Sequence, residues 1–233
     1  MEELNGRPVA PEELRSLALT NYGHFTTMRV ESGRVRGLSL HLERLVRDCR
    51  MVFGVELDAG RVREYMSLIH IAEPAVLVTA RPAGSLSLPP IRVRSARFVR
   101  DLPAVKSVGL FGSLHQRREA QRAGYDDVLF VDGESVVSEG GTWNIGFVRG
   151  DEVVWPDADC LPGTTMELLR QVRPCKAEQV TLGRLGGFDA AFATNAAIGV
   201  RPVAAVDEVA FAVDHPVIAE LRAAYGDLPA DPL

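Results

Sequence analysis

Lys106, in Leu102-Pro103-Ala104-Val105-Lys106-Ser107, is the first residue in this chain with unusual chemical potential. The sequence holds 24 arginines and only two lysines, Lys106 and Lys176. Arginine keeps its proton in a protein and cannot form an imine with a carbonyl. Lysine can, once its surroundings release the proton. Any imine chemistry here therefore falls to one of two residues, and Lys106 is otherwise one more surface cation. Glu139, in Val137-Ser138-Glu139-Gly140-Gly141, follows a hairpin strand and offers a carboxylate. Its plain alternative is an exposed acid at a strand end. Leu161-Pro162-Gly163-Thr164-Thr165 sits at a helix start, where N–H groups and the helix dipole favour an anion. Thr164 with Glu167 three residues on also reads as a capping box, which binds nothing. Arg44, in His41-Leu42-Glu43-Arg44-Leu45, carries a guanidinium suited to bidentate phosphate binding, although a helical Arg is commonly solvated.

An amine, an acid and an anion cradle are the parts a pyridoxal-phosphate site requires. The amine forms the imine, the acid keeps the pyridine nitrogen protonated, and the cradle holds the phosphate.

The elements that must position these groups can be read from pattern. Asn5-Gly6 is a hairpin signal, and Pro11-Glu12-Glu13-Leu14 opens a helix. His24 to Val30 reads as a strand that turns at Glu31-Ser32-Gly33 and returns from Arg34 to Leu40. Leu42, Leu45, Val46, Cys49 and Phe53 fall at helical spacing and predict an amphipathic helix from His41 with these residues inward. Further helices are expected near 59–69, 113–123, 163–172 and 216–225. Strands are expected near 75–79, 91–98, 128–132, 136–138, 144–148 and 153–154. Many hairpins with helices between them argue for two α+β lobes over one doubly wound parallel sheet. The expected division is residues 1–100, a smaller N-terminal α/β lobe with Arg44, and 101–233, a larger β-rich lobe with Lys106 and Glu139. The acidic, Pro-containing end from Gly226 to Leu233 is expected to fray.

Bulk properties narrow the class. A hydrophobic content of 46% over 233 residues supports real cores, and a net charge of -5 with both signs interspersed speaks against a nucleic-acid protein. Three scattered cysteines have no metal spacing and read as reduced thiols in a cytoplasmic protein. No apolar run suggests a signal peptide or a membrane span.

Seven segments in order resemble the class IV aminotransferases, the fold-type IV pyridoxal-phosphate enzymes. Tyr22-Gly23-His24-Phe25-Thr26-Thr27-Met28-Arg29-Val30 is similar to the family's Gly-Asp-Gly-x-Phe-Glu-Thr-x-Arg strand. His41-Leu42-Glu43-Arg44-Leu45 looks like its His-x-x-Arg-Leu helix, and Val105-Lys106-Ser107 like its Schiff-base lysine. Ala120 to Asp127 resembles its helix exit, and Glu139 with Asn144-Ile145 its Glu-x4-Asn-Ile/Leu-Phe run. Leu161 to Thr165 looks like its phosphate turn, and Phe192 to Val203 like its last cofactor and substrate loop.

The resemblance implies that Lys106 forms the Schiff base and then moves the α-proton. It implies cofactor binding by Arg44, Glu139, Asn144, Gly163, Thr164, Thr165, Asn195 and Ala196. Tyr22, Thr27, Arg81, Trp143 and Ala197 are implied at the substrate side. It also implies a small amino-acid substrate and a homodimer. The chain departs from the family at Phe111, where branched-chain enzymes carry a Tyr that meets the cofactor's phenolic oxygen. Tyr22 is a candidate substitute.

Phe25-Thr26-Thr27-x-Arg29 and Asn195-Ala196 lean towards aminodeoxychorismate lyase, which eliminates pyruvate and gives 4-aminobenzoate. Thr79-Ala80-Arg81-Pro82 is similar to the Tyr-Ile-Arg-Pro of branched-chain enzymes and leans towards transamination of a branched-chain or D-amino acid. A non-catalytic binding protein of the same family is the third reading.

Overall fold

The computed structural model describes residues 2–4, 7–20, 22–67, 77–80 and 82–233. The chain divides into two compact units. One comprises Met1–Gly84, Val105–Gly109 and Pro229–Leu233; the other comprises Ser85–Ala104 and Leu110–Leu228. The units are therefore not successive halves of the sequence. Lys106 belongs with the first unit, where the sequence placed it in the C-terminal lobe.

Among the described residues the first unit holds three helices, α1 Pro11–Thr20, α2 Leu38–Phe53 and α3 Ala59–Ser67. Two small sheets accompany them. Glu2–Leu4 pairs antiparallel with Arg7–Pro8 and with Leu77–Thr79. The expected Asn5-Gly6 turn itself lies outside the described residues, but its flanks pair as a hairpin would. The expected long strand from His24 is replaced by irregular chain with one isolated bridge, His24 to Ser107. Only Val30–Glu31 and Arg34–Arg36 pair as strands, turned through Ser32 and Gly33, both at positive φ.

The C-terminal end does not fray. Ala230–Pro232 pairs antiparallel with Arg34–Arg36, and Leu233 N–H donates to the Gly33 carbonyl at 3.0 Å. The Arg34 and Arg63 guanidiniums donate to the Ala230 and Pro232 carbonyls at 3.0 and 2.8 Å. Reading the tail by composition missed this because an edge pairing depends on a partner some 195 residues away, which local polarity cannot reveal.

Helix α2 also corrects the pattern. Its buried residues are Leu38, His41, Arg44, Asp48 and Cys49. Leu42, Leu45 and Val46 are half-buried and Phe53 is 42% exposed. The helix thus turns a largely polar face inward, and the hydrophobic spacing found its presence while misplacing its buried side.

The second unit is built on a nine-stranded sheet. Its main path runs Cys175–Glu178, Glu152–Pro156, Asn144–Arg149, Ala190–Asn195, Gly199–Val206, Ile91–Arg97, Asp127–Val131, Val137–Gly140. The pairings are antiparallel except the two made by Ile91–Arg97 and the one between Glu152–Pro156 and Cys175–Glu178. Glu139 lies in Val137–Gly140, the last strand of this path, and Asn195 ends the interior strand Ala190–Asn195. Val93, Leu129, Val137, Ile145, Phe147, Val154, Ala191 and Val203 form a core at 4% exposure or less. Three helices join the sheet: α4 Phe111–Arg122, α5 Thr164–Val172 and α6 Pro216–Asp227.

Deleting residues 230–233 removes a short ladder and two Arg–carbonyl bonds, a loss of about 2 kcal/mol at roughly 1 kcal/mol net per bond with partial solvation. The melting temperature should fall by about 4–8 °C by circular dichroism. An unchanged melting curve would mean that the tail contributes no pairing in solution.

Candidate active site

In the first unit, the inward face of α2 holds Arg44 and, through Asp48, the backbone of Lys106. His41, Arg44 and Asp48 follow at helical spacing, at 1%, 6% and 0% exposure. The Arg44 guanidinium donates to Thr26 Oγ1 at 2.5 Å, and the same oxygen lies 2.8 Å from His41 Nδ1. A hydroxyl that accepts from Arg44 has its own proton for His41, so His41 is the acceptor at Nδ1 and carries its proton on Nε2. Burial and the positive charges of Arg44 and Lys106 push the His41 pKa down to about 3, which keeps the ring neutral. Burial also lowers Arg44, to about 10, against the opposing pull of Asp48. Arg44 remains charged at neutral pH, and its Nε is buried with no hydrogen-bond partner.

Lys106 is fastened through its backbone on two sides. Its carbonyl accepts from Phe25 N–H at 2.9 Å, and its own N–H donates to Asp48 Oδ2 at 3.0 Å. Val108 N–H donates to the Gly23 carbonyl at 2.9 Å, which lays the segment alongside residues 23–25. The Lys106 Nζ lies 4.6 Å from the Phe25 ring centroid, a cation–π distance. Lys176 differs in every respect. Its side chain is 64% exposed and its amine is ion-paired with Glu152 at 2.6 Å.

In the second unit, four expected residues form one linked cluster. The Leu161 N–H donates to Glu139 Oε2 at 3.3 Å, and the Leu161 carbonyl accepts from Asn144 Nδ2 at 2.7 Å. Glu139 and Asn144 thus grip the phosphate-type turn from both sides of one residue. Glu139 is 6% exposed, with its Oε1 2.9 Å from Arg100 Nε. Gly163 follows, and a Cβ there would lie 2.1 Å from Asn144 Oδ1, so any other residue would push the Asn144 amide from its place.

Gly163 is also the N-cap of α5, with no side-chain cap bond. The expected capping box therefore does not form, because Thr164 is already the first helical residue. The first-turn N–H groups of Thr165 and Met166 have no acceptor within the helix. Thr165 is 1% exposed and its hydroxyl has no hydrogen-bond partner. An anion at this helix start would satisfy these donors.

The last loop is self-supporting. Asn195 Oδ1 accepts from Ala197 and Ile198 N–H at 2.9 and 3.0 Å, and Asn195 Nδ2 donates to the Thr142 carbonyl at 3.0 Å. The Asn195–Ala197 turn and the Thr142 segment are thereby tied together. Ala196 is half-buried and Ala197 exposed at that turn.

The substrate-side expectations fare differently. Trp143 turns inward: it is 4% exposed, packs against Gly140 and donates from its indole to Asp127 Oδ2 at 3.0 Å. It fills the core and leaves no ring face for a substrate. Tyr22 is 65% exposed and its hydroxyl donates to the Val52 carbonyl at 2.9 Å. Phe111 opens α4 at 80% exposure. Thr27 is half-buried in the first unit. Arg81 lies outside the described residues.

The residues that sequence reasoning missed are Asp48, Thr26 and Arg100. Asp48 had a signal, a carboxylate one turn beyond Arg44. Thr26 and Arg100 act through contacts distant in sequence, which spacing does not show.

Residues 70–206 match the family described as amino-transferase class IV. This chain belongs to the class IV aminotransferases. Members are pyridoxal-phosphate enzymes, and the chain is one of that enzyme family. It is 26% identical to a Rickettsia bellii protein named "Probable branched-chain-amino-acid aminotransferase", over 97% of this chain and 94% of that one. The fold is similar to the branched-chain aminotransferase of Thermoproteus uzoniensis solved with norvaline. That comparison has a TM-score of 0.82 at 20% identity, covering 97% of this chain and 93% of that one. It is also similar to the 4-amino-4-deoxychorismate lyase of Pseudomonas aeruginosa, with a TM-score of 0.77 at 22% identity over 96% and 97% of the two chains. These two structures speak for the fold alone, and the α+β, fold-type IV expectation holds.

The buried His41 yields a pH test. Its pKa of about 3 when folded lies below the 6.5 of a free imidazole. The unfolded chain therefore binds the extra proton, and stability falls as pH drops from about 6.5 towards 3. Between pH 7 and pH 5 the wild type should lose about 2 kcal/mol more than His41→Gln, measured by urea unfolding. Equal losses would mean that His41 is not held neutral.

Proposed function

We propose that this chain is a pyridoxal-phosphate enzyme that removes a proton from the amino-bearing carbon of its substrate, with Lys106 as the amine and the proton carrier. The observation that supports this most is Lys106 itself. Its backbone is fixed by Asp48 and Phe25, and Asp48 stands on the same helix as a buried Arg44 whose Nε has no hydrogen-bond partner.

The residues fit the cofactor in charge and in spare bonding capacity. Arg44, Thr165 and the first-turn N–H groups of α5 would hold the phosphate, with Thr164, Gly163 and the Asn195-Ala196 turn shaping its surroundings. Glu139 would hold the pyridine nitrogen, and Asn144 keeps the adjoining turn in place. When bound, the ring withdraws electrons from the carbon that loses the proton. Arg100 places a cation against Glu139 on the side of Oε1. Freed Lys106 would take the proton as a general base and return it as an acid. Thr27, Ala197 and Arg81 would border the substrate.

We favour elimination from 4-amino-4-deoxychorismate, giving 4-aminobenzoate and pyruvate. The Phe25-Thr26-Thr27 segment and the Asn195-Ala196 turn support this branch. Transamination is the second reading, supported by the branched-chain name of the Rickettsia relative. The purified holoenzyme separates them. Incubated with aminodeoxychorismate, it should release 4-aminobenzoate and pyruvate, and Lys106→Ala should release neither. Keto-acid formation from amino acids with 2-oxoglutarate, without 4-aminobenzoate, would overturn the lyase reading in favour of transamination.

The protein would work as a homodimer in the cytoplasm. The exposed Phe111 and Leu114 on α4 supply apolar surface for an interface, and the three cysteines are free as a reducing compartment requires. Sedimentation should show twice the chain mass, shifting towards the monomer in Phe111→Glu. A wild-type monomer at micromolar concentration would contradict this.

A further inference from the structure

We propose that Asp48 is the positioning residue for Lys106, holding the amine in reach of the cofactor through the Lys106 backbone N–H. The inference rests on the functional reading above.

Asp48 is at 0% exposure, where an ionised carboxylate is costly unless its oxygens are bonded. Both are. Oδ1 accepts from Arg47 Nε and Nη2 at 3.0 and 2.7 Å, a two-pronged pair. Oδ2 accepts from Lys106 N–H at 3.0 Å. The Arg47 pair balances the charge and fixes the carboxylate plane, so the second oxygen faces the Lys106 segment in a set direction. A charge-assisted bond of this kind is stronger than one between neutral groups.

That bond acts on a short segment whose Val105 is fully buried. Val105–Gly109 is a five-residue excursion of the chain into the first unit. It is held by the bonds to Gly23 and Phe25 on one side and by Asp48 on the other. The Phe25 and Gly23 bonds set its direction along residues 23–25. Asp48 sets how closely it approaches α2. Because Asp48 lies one helical turn beyond Arg44, a single helix carries the guanidinium and fixes the backbone from which the Lys106 amine extends. An error of even 1 Å in a reacting group costs about a hundredfold in rate, so this spacing matters for capture of an aldehyde.

The reaction to follow is attachment of pyridoxal phosphate. The Lys106 amine adds to the aldehyde, one water leaves, and a C=N bond forms. Pyridoxamine phosphate has the same ring and phosphate and no aldehyde, so its binding does not use the lysine amine. In apo protein, Asp48→Ala should slow attachment, read by absorbance, by about tenfold or more while leaving pyridoxamine-phosphate affinity within about twofold. Asp48→Asn keeps an oxygen for the Lys106 N–H and should attach within about threefold of the wild-type rate.

An Asp48→Asn protein as slow as Asp48→Ala would overturn positioning by this hydrogen bond. So would an equal loss of pyridoxamine-phosphate affinity in both variants, which would give Asp48 a general structural role. If Asp48→Ala fails to fold, the Asn variant still decides the matter. Wild-type protein that neither attaches pyridoxal phosphate nor binds pyridoxamine phosphate would overturn the functional reading together with this one.

Discussion

The hydrogen bond from the Lys106 N–H to the buried Asp48 carboxylate is the constraint around which the first unit is arranged. A charge at 0% exposure must be compensated, and the compensation extends over several residues. Arg47 pairs with Asp48, Arg44 lies one turn back, Thr26 accepts from Arg44, and His41 accepts from Thr26. Each member depends on the next for a partner. The face of α2 is polar because it serves this chain, and the helix keeps its apolar residues half-buried on another side.

The second unit meets a similar demand in a different way. Glu139 and Arg100 are a largely buried ion pair, and the carboxylate's other oxygen is committed to the Leu161 N–H. Asn144 takes the Leu161 carbonyl, and Gly163 leaves room for the Asn144 amide. Three residues from two neighbouring strand segments and one turn thereby hold the start of α5 in place. Burial beside Glu139 also pushes the Cys160 thiol up to about 11. This thiol is a protonated wall of the cluster and no nucleophile at neutral pH.

Much of this was legible from the sequence, and the limits have physical causes. The rarity of lysine singled out Lys106 before any fold was in view. The Leu161 to Thr165 turn was readable because a glycine and two hydroxyls at a helix start have few uses. The existence of α2 followed from its hydrophobic period, but its buried face did not, because polar residues satisfied by one another can replace apolar ones inside. Trp143 read as a substrate neighbour because sequence adjacency to Asn144 says nothing about which side of a strand it fills. In the structure it packs on Gly140 and bonds Asp127. The C-terminal end of the chain was misread for a related reason. Pairing of Ala230–Pro232 with Arg34–Arg36 is a long-range event that local composition does not carry.

The central claim is that one of two lysines does the chemistry and that its setting, not its amine alone, selects it. Lys106 is held by α2 and by residues 23–25, and Lys176 is an exposed cation paired with Glu152. The most direct test is to incubate the protein with pyridoxal phosphate, reduce with borohydride, digest it and locate the added mass by peptide mapping. The account predicts stoichiometric label on the peptide containing Lys106 and none on the peptide containing Lys176. Label on Lys176, or equal label on both, would contradict it.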